Sequence, residues 1–232
     1  MLFALEVAFG ILWTASYLAI IWKGSIDKTY GMPIVAAASN VSWEFIFAFV
    51  YRSPQPQETS NIIWFTLDLI ILATIIHFGS GEFPGVPRHL FLAALAGIVA
   101  MAYSATLLIA TDLDKSRPVL TAFGGNLMMS ALFLSMLYTR WRNRSSVPNP
   151  LRGQSALIAW TKLGGTACAS IAAYLYFTKP YGNFPLLPFL YISCFILDAI
   201  YVAALYAARK HLHQARNNAR ARLSPRETPS RK

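Results

Sequence analysis

Four carboxyl side chains lie in strongly apolar stretches of this 232-residue chain: Glu6, Glu44, Asp68 and Asp198. They are the residues best suited to chemistry, because a carboxyl group in an apolar site resists ionisation and keeps its proton available. Burying such a group in a bilayer is costly, which makes each of the four acids a candidate functional residue.

Aromatic side chains lie at helical spacing from three of these acids. Aromatic ring faces attract cations, an effect of about 2 kcal/mol when the cation is desolvated. An acid beside aromatic walls would therefore suit the protonation of a lipid-like substrate and the shelter of a carbocation from water. We expect Trp43, Phe47 and Tyr51 beside Glu44, Trp64 beside Asp68, and Tyr191, Phe195 and Tyr201 beside Asp198. Further polar candidates of second rank are Asp68, Asn40, Lys162 and Asn126.

The elements that position these residues follow from the composition. Hydrophobic residues make up 56% of the chain and charged residues 13%, and the mean hydropathy is +0.45, whereas soluble domains carry about 25% charged residues. A membrane span needs about 20 apolar residues, and only a helix satisfies its backbone in lipid. The sequence therefore predicts an all-α polytopic membrane protein, a bundle of seven transmembrane helices over about residues 2–22, 31–51, 61–79, 89–111, 119–139, 155–178 and 187–207.

The positive charges predict the orientation of the bundle. The net charge is +10, and 15 of the 20 Lys and Arg residues fall in the breaks after the odd-numbered spans or in the tail over 209–232. By the positive-inside rule these segments face the cytosol, so we expect a cytosolic C-terminus and a lumenal N-terminus. The basic charge thus indicates the orientation in the membrane and not nucleic-acid binding. The polar tail is expected to be disordered or to lie on the membrane surface.

With this orientation the four acids converge in depth. At about 1.5 Å per residue, Glu6 lies roughly 6 Å from the non-cytosolic face, Glu44 and Asp68 roughly 10 Å, and Asp198 roughly 16 Å. The sequence therefore predicts one polar-lined cavity, opening from the non-cytosolic leaflet, in which Glu44 and Asp198 meet.

Neither a metal site nor a disulfide framework is expected. Cys168 and Cys194 both lie in apolar runs, and no Cys/His cluster has the spacing of metal ligands. Asp112 and Asp114 form a close acidic pair, for which a solvated turn is a sufficient explanation. We therefore expect no metal and no other cofactor.

Two short motifs, Asn40-Val-Ser-Trp-Glu44-Phe45 on span two and Leu197-Asp198-Ala-Ile-Tyr201 on span seven, resemble the small integral-membrane terpene cyclases of fungal meroterpenoid and indole-diterpene biosynthesis. The resemblance covers nearly the whole chain except the tail. It implies that Glu44 and Asp198 are the catalytic pair, which protonates the terminal epoxide or alkene of a prenyl chain and starts a ring-closing carbocation cascade. It also implies the endoplasmic reticulum membrane, a hydrophobic prenylated small-molecule substrate, no metal and no diphosphate ionisation.

Two other functions use the same buried residues. A small proton-coupled transporter could employ the acids as a proton relay, although it would favour inverted repeats and broken helices. Gly124-Gly125 and Gly164-Gly165 are the places where spans five and six could break. A retinal protein would need an intramembrane lysine, and Lys162 in span six is the one available. The oligomeric state is not readable from the sequence.

Overall fold

A computed structural model describes residues 2–114, 118–177 and 185–223, with side chains up to residue 218. Every regular element in these ranges is helical, which confirms the all-α fold class. The helices are α1 (Leu2–Asp27), α2 (Ile34–Phe45, followed directly by a π-helix over Ile46–Val50), α3 (Gln57–Phe78, followed by a 3₁₀ turn over Gly79–Glu82), α4 (Arg88–Asp112), α5 (Val119–Arg142), α6 (Ala156–Phe177) and α7 (Leu186–Leu223).

Six of the seven helices are long and apolar enough to cross a membrane. The shorter one is the second, Ile34–Val50, which begins after Pro33 and not at the predicted residue 31. Proline lacks an N–H group and is tolerated at a helix start, where that donor would be unpaired. The third helix begins earlier than predicted, at Gln57.

Six of the helices form a closed ring, in which α1 packs against α3, α3 against α2, α2 against α5, α5 against α7, α7 against α6, and α6 against α1. Helix α4 lies outside this ring, mainly against α2, and is the least buried of the six candidate spans. The residues that face the interior of the ring are therefore contributed by helices that are distant in sequence.

Helices α5 and α6 run through their paired glycines without a break. A Cβ atom added at Gly165 would lie 2.7 Å from the indole ring of Trp13. Gly165 therefore allows α1 to approach α6 closely. The expectation that these glycines could break spans five and six is wrong.

Helix α7 continues to Leu223, well beyond the predicted span. The expectation of a disordered tail is thus wrong for residues 209–223, and residues 224–232 lie outside the described part of the chain. Straight-chain and alanine residues such as those in Gln214-Ala-Arg216 favour helix even in water, so polarity alone does not end a helix that is already nucleated.

The loops that follow α1, α3 and α5 meet at one end of the bundle. The Glu82 carboxylate accepts hydrogen bonds from Arg152 Nε at 2.8 Å and from the Thr29 hydroxyl, and Arg140 Nη2 donates to Thr29 Oγ1 at 3.1 Å. Burial opposes ionisation of Glu82, but these hydrogen bonds and the charge of Arg140 outweigh it and hold the pKa of Glu82 below its usual value. These contacts place the three loops on a common face, as expected if successive helices cross the membrane in opposite directions.

Asp114 corrects the expectation of a solvated turn. Its side chain is buried, and its carboxylate accepts hydrogen bonds from the backbone N–H groups of Leu120 at 2.8 Å and Thr121 at 2.7 Å. These donors lie in the first turn of α5 and have no partner within the helix. Asp114 therefore caps α5.

Candidate active site

The first polar group in the ring interior is the acid cluster, which comprises Tyr17, Asn40, Glu44 and Asp68. The Tyr17 hydroxyl donates to Glu44 Oε1 at 3.1 Å, and the Asn40 amide donates to Asp68 Oδ2 at 2.8 Å and also to the Tyr17 oxygen. Residues from α1, α2 and α3 thus link two carboxyl groups through one tyrosine and one amide.

The acid cluster contains no positive charge among the described residues. The salt bridges in that part of the chain involve other carboxylates, namely those of Asp27, Glu58, Glu82 and Asp198. One oxygen of each cluster acid, Glu44 Oε2 and Asp68 Oδ1, is buried without a hydrogen-bond partner. An uncompensated carboxylate in such a place is far more costly than a neutral acid, so the geometry favours protonated carboxyl groups.

Aromatic rings enclose the acid cluster. Tyr17 stacks on Trp64, with ring centroids 6.3 Å apart, and lies 6.0 Å from the ring of Trp13. Trp64 is held in place by Phe9, edge-on at 5.2 Å, and by a hydrogen bond from its indole N–H to Thr14 Oγ1 at 3.0 Å. These contacts build an aromatic cluster around Tyr17, the hydrogen-bond donor to Glu44, and the faces of such rings can stabilise a cation.

Glu44 lies two residues before the π-helix that follows α2. The altered backbone leaves the Phe47 carbonyl to accept from the Ser53 N–H at 3.0 Å and from the Asn61 side-chain amide at 3.2 Å. π-helical turns are rare and frequently occur at functional sites. The sequence carries no pattern from which this turn could be predicted.

The second polar group is the ion-pair cluster, which comprises Asn126, Ser130, Lys162 and Asp198 from α5, α6 and α7. Lys162 Nζ lies 2.5 Å from Asp198 Oδ1, and each of these side chains is 1% exposed. The same ammonium group donates to Ser130 Oγ at 2.7 Å and to Asn126 Oδ1 at 3.5 Å. Asp198 Oδ2 is buried without a partner.

No hydrogen bond or salt bridge joins Glu44 to Asp198 in the described residues, but Trp13 of α1 contacts both clusters. Lys162 Nζ is 5.8 Å from the ring centroid of Trp13, Trp13 packs on Tyr17, and Tyr17 donates to Glu44. The two acids therefore hold different partners, and their meeting in one pocket stays a prediction.

Two apolar grooves open on the outside of the bundle, one between α2, α3 and α4 with an internal volume of about 590 Å³ and one between α1 and α3 of about 400 Å³. Neither Glu44 nor Asp198 lines them. The predicted cavity opening from the non-cytosolic leaflet is thus not among these grooves.

The remaining predicted residues divide between the interior and the surface. Trp64, Tyr191, Tyr201 and Phe47 are buried, and Trp43 and Tyr51 are half-buried. Trp43 donates its indole N–H to Thr121 Oγ1 at 3.2 Å, whereas Tyr191 packs edge-on against Phe123 in a separate core at the other end of α7.

Phe195 and Glu6 do not belong to the site. Phe195 is 47% exposed and faces out of the bundle, so its predicted lining role is wrong. Phe195 lies about one helical turn before Asp198, at the edge of the same face of α7. At that edge the spacing alone does not determine whether a side chain faces the bundle interior or the lipid. Glu6 is exposed near the start of α1 and contributes to neither of the buried polar clusters.

Sequence reasoning missed Tyr17, Trp13 and Ser130. Tyrosine, tryptophan and serine occur at helix–helix contacts and interfaces throughout membrane proteins, so their presence in a span indicates no chemistry. The only signal available for Trp13 and Tyr17 was their i, i+4 spacing, which places them on one face of α1.

The described residues contain no group of three or more His, Cys, Asp or Glu side chains able to hold a metal ion. Cys168 and Cys194 are both free.

Comparison with known families decides the class of protein. The model of the Pyr4-like transmembrane terpene cyclases matches residues 1–211. The chain belongs to this family. Among similar proteins, the terpene cyclase pyr4 of Aspergillus fumigatus is 27% identical over 221 residues, which cover 90% of this chain and 87% of the relative. The Pyr4-family terpene cyclase mfmH of Annulohypoxylon moriforme is 29% identical over 185 residues, covering 78% and 72% of the two chains.

A third relative, the asnovolin H synthase nvfL of Aspergillus novofumigatus, is 29% identical over 147 residues, covering 60% of this chain and 59% of the relative. No solved structure matches this chain. Membership of the family makes the chain an integral membrane protein of the terpene cyclase class with a hydrophobic substrate, and it favours an enzyme over the transporter and retinal-protein hypotheses.

Proposed function

We propose that this membrane terpene cyclase protonates the terminal epoxide or alkene of a prenylated, aromatic or polyketide-derived substrate and drives a carbocation cyclisation to an isomeric product. Glu44 and Asp198 are the catalytic acids of this proposal. The polar residues around them are Lys162, which holds Asp198, Asn126, which accepts from Lys162, and the hydrogen-bonded pair Asn40 and Asp68 in the acid cluster.

The observation that carries the proposal is the acid cluster without a cation. Glu44 is 3% exposed, receives one hydrogen bond from Tyr17 and keeps its second oxygen free. A neutral carboxyl group held in this way is a proton donor aimed into an aromatic, water-poor interior, which is where a carbocation would survive.

The reaction balances without a further reagent. The Glu44 O–H transfers its proton to the epoxide oxygen, the tertiary C–O bond breaks, and the cation is consumed by successive attack of alkene electron pairs. Loss of one C–H proton to a base ends the cascade with a new C=C bond. One proton is added and one is removed, so the product has the formula of the substrate.

We place the enzyme in the endoplasmic reticulum membrane with its N-terminus in the lumen and its C-terminus in the cytosol. The loops after α1, α3 and α5 share one face through Glu82 and Arg152, and together with the adjoining helix ends they carry most of the basic residues outside the tail. The positive-inside rule supports a cytosolic position for that face.

The test is expression in a host that supplies prenylated epoxide precursors, with mass spectrometry for a product of unchanged mass. We expect the Glu44→Gln variant to lose product by 100-fold or more, because the amide cannot supply the proton, a contribution of about 10² to 10⁴ in rate. Glu6→Gln is the matched control, since Glu6 is exposed.

Full turnover by Glu44→Gln, with the variant present in the membrane at the level of the parent protein, would refute acid catalysis by this residue. Appearance of the substrate across a proteoliposome membrane without chemical change would instead favour a transporter.

A further inference from the structure

The acceptors around Lys162 in the ion-pair cluster indicate whether its side chain is charged. An ammonium group has three N–H donors and a neutral amine has two. Lys162 Nζ meets three acceptors: Asp198 Oδ1 at 2.5 Å, Ser130 Oγ at 2.7 Å and Asn126 Oδ1 at 3.5 Å. This arrangement fits the charged form of the lysine.

The neighbouring groups are oriented to accept from that lysine. The Ser130 hydroxyl donates its own hydrogen to the Asn126 backbone carbonyl at 2.9 Å, which leaves its lone pairs for Lys162. The Asn126 side-chain amide donates to Thr166 Oγ1 at 3.2 Å, which turns its carbonyl oxygen towards Lys162. The cluster is electrically neutral when Asp198 is a carboxylate.

From this geometry we infer that Lys162 is a positioning residue that keeps Asp198 ionised, so that the two catalytic acids divide the reaction: Glu44 gives the first proton, and Asp198 is the anion that stabilises the growing cation and takes the last proton. The inference rests on the proposed function and deepens it. The acid cluster has hydrogen bonds but no cation, whereas the ion-pair cluster has a cation for its acid.

The free oxygen of Asp198 completes the assignment. Asp198 Oδ2 is buried with no partner in the described residues, while Oδ1 is held by Lys162. One oxygen is therefore fixed and the other is available. At the end of the cascade the C–H electron pair forms the C=C bond and the proton goes to Oδ2. Return of that proton to Glu44 restores the enzyme, so the cycle needs no other reagent.

Infrared spectroscopy of the substrate-free, full-length enzyme in lipid tests the protonation states apart from catalysis. We expect Asp198→Asn to remove carboxylate bands from the spectrum and to leave the protonated-acid bands of the parent unchanged. We expect Lys162→Met to create a new protonated-acid band, because the buried aspartate loses its cation. That band should be absent from the Lys162→Met/Asp198→Asn double variant, which leaves no buried charge unpaired and so guards against misfolding.

Lys23→Met is the matched control, because Lys23 pairs with Asp27 at 2.9 Å near the end of α1 and away from the interior. It should leave the Asp198 bands unchanged. Loss of a protonated-acid band in Asp198→Asn, or no new band in Lys162→Met, would overturn the inference.

Product formation by the same variants is the second measurement. Lys162→Met and Asp198→Asn should each lower product formation about 100-fold, the scale expected for loss of a preorganised charge. The double variant should be no worse than the poorer single variant, because the two residues act as a unit. Normal turnover by Lys162→Met would overturn the inference, whereas normal turnover by Glu44→Gln would refute the proposed function and leave the infrared result standing.

Discussion

At the scale of single residues, the acids were predictable from the sequence and their partners were not. A carboxyl group in an apolar run is rare enough to stand out, which brought out four acids, and the family resemblance singled out Glu44 and Asp198 among them. Tyr17, which donates to Glu44, lies 27 positions away on another helix and has no unusual neighbours in sequence. Hydrogen-bond partners across a bundle depend on how helices rotate about their axes, and apolar runs do not fix that rotation.

Tyr17 offers a test of the support around Glu44. In Tyr17→Phe the ring stays in its stack on Trp64, but Glu44 loses its donor and an Asn40 N–H loses an acceptor. We expect the free energy of unfolding to fall by about 1–3 kcal/mol, the cost of buried groups left unpaired. We expect turnover to fall roughly tenfold or more, since misplacement of a reacting group is costly.

Thermal unfolding in detergent and product formation by mass spectrometry measure the two effects. Tyr138→Phe serves as the control, because Tyr138 is 65% exposed on α5. Equal behaviour of the two variants would show that the Tyr17 hydroxyl does not support the acid.

At the scale of elements, span positions were predictable because lipid thickness fixes the length of an apolar run. The observed helices differ from the predicted spans where local structure determines how a helix ends. Helix α2 ends in a π-helix beside Glu44, and α7 continues past the membrane to Leu223. Neither change alters the hydrophobic pattern, so the pattern did not reveal them.

The approach of α1 to α6 depends on Gly165. A methyl group there would lie 2.7 Å from the ring of Trp13, so Gly165→Ala must displace the indole that packs beside Tyr17 and Lys162. We expect about 1–3 kcal/mol of destabilisation, the usual cost of overpacking, together with reduced product formation.

Gly97→Ala is the matched control, because nothing lies within 4 Å of a Cβ at that position in α4. Alanine is the better helix former by about 1 kcal/mol, so this variant should be as stable as the parent or more so. A Gly165→Ala protein with the melting temperature and activity of the parent would show that the close packing of α1 on α6 is not required.

At the scale of the whole molecule, the ring of six helices brings two unlike polar clusters into one interior. The sequence predicted that four acids would converge; Glu44, Asp68 and Asp198 are buried, whereas Glu6 is exposed. It did not predict that Asp198 would be paired with Lys162 while Glu44 and Asp68 have no cation, because helix order in a bundle is not encoded in the hydrophobic pattern of any one span. The consequence is one neutral site beside one ion pair.

The proposed mechanism requires that Glu44 holds a proton in this interior before substrate binds. Infrared difference spectra between the parent protein and Glu44→Gln, both reconstituted in lipid at neutral pH, measure this directly. We expect a protonated-acid band in the parent that is absent from the variant. A difference spectrum that shows only the loss of carboxylate bands would contradict it.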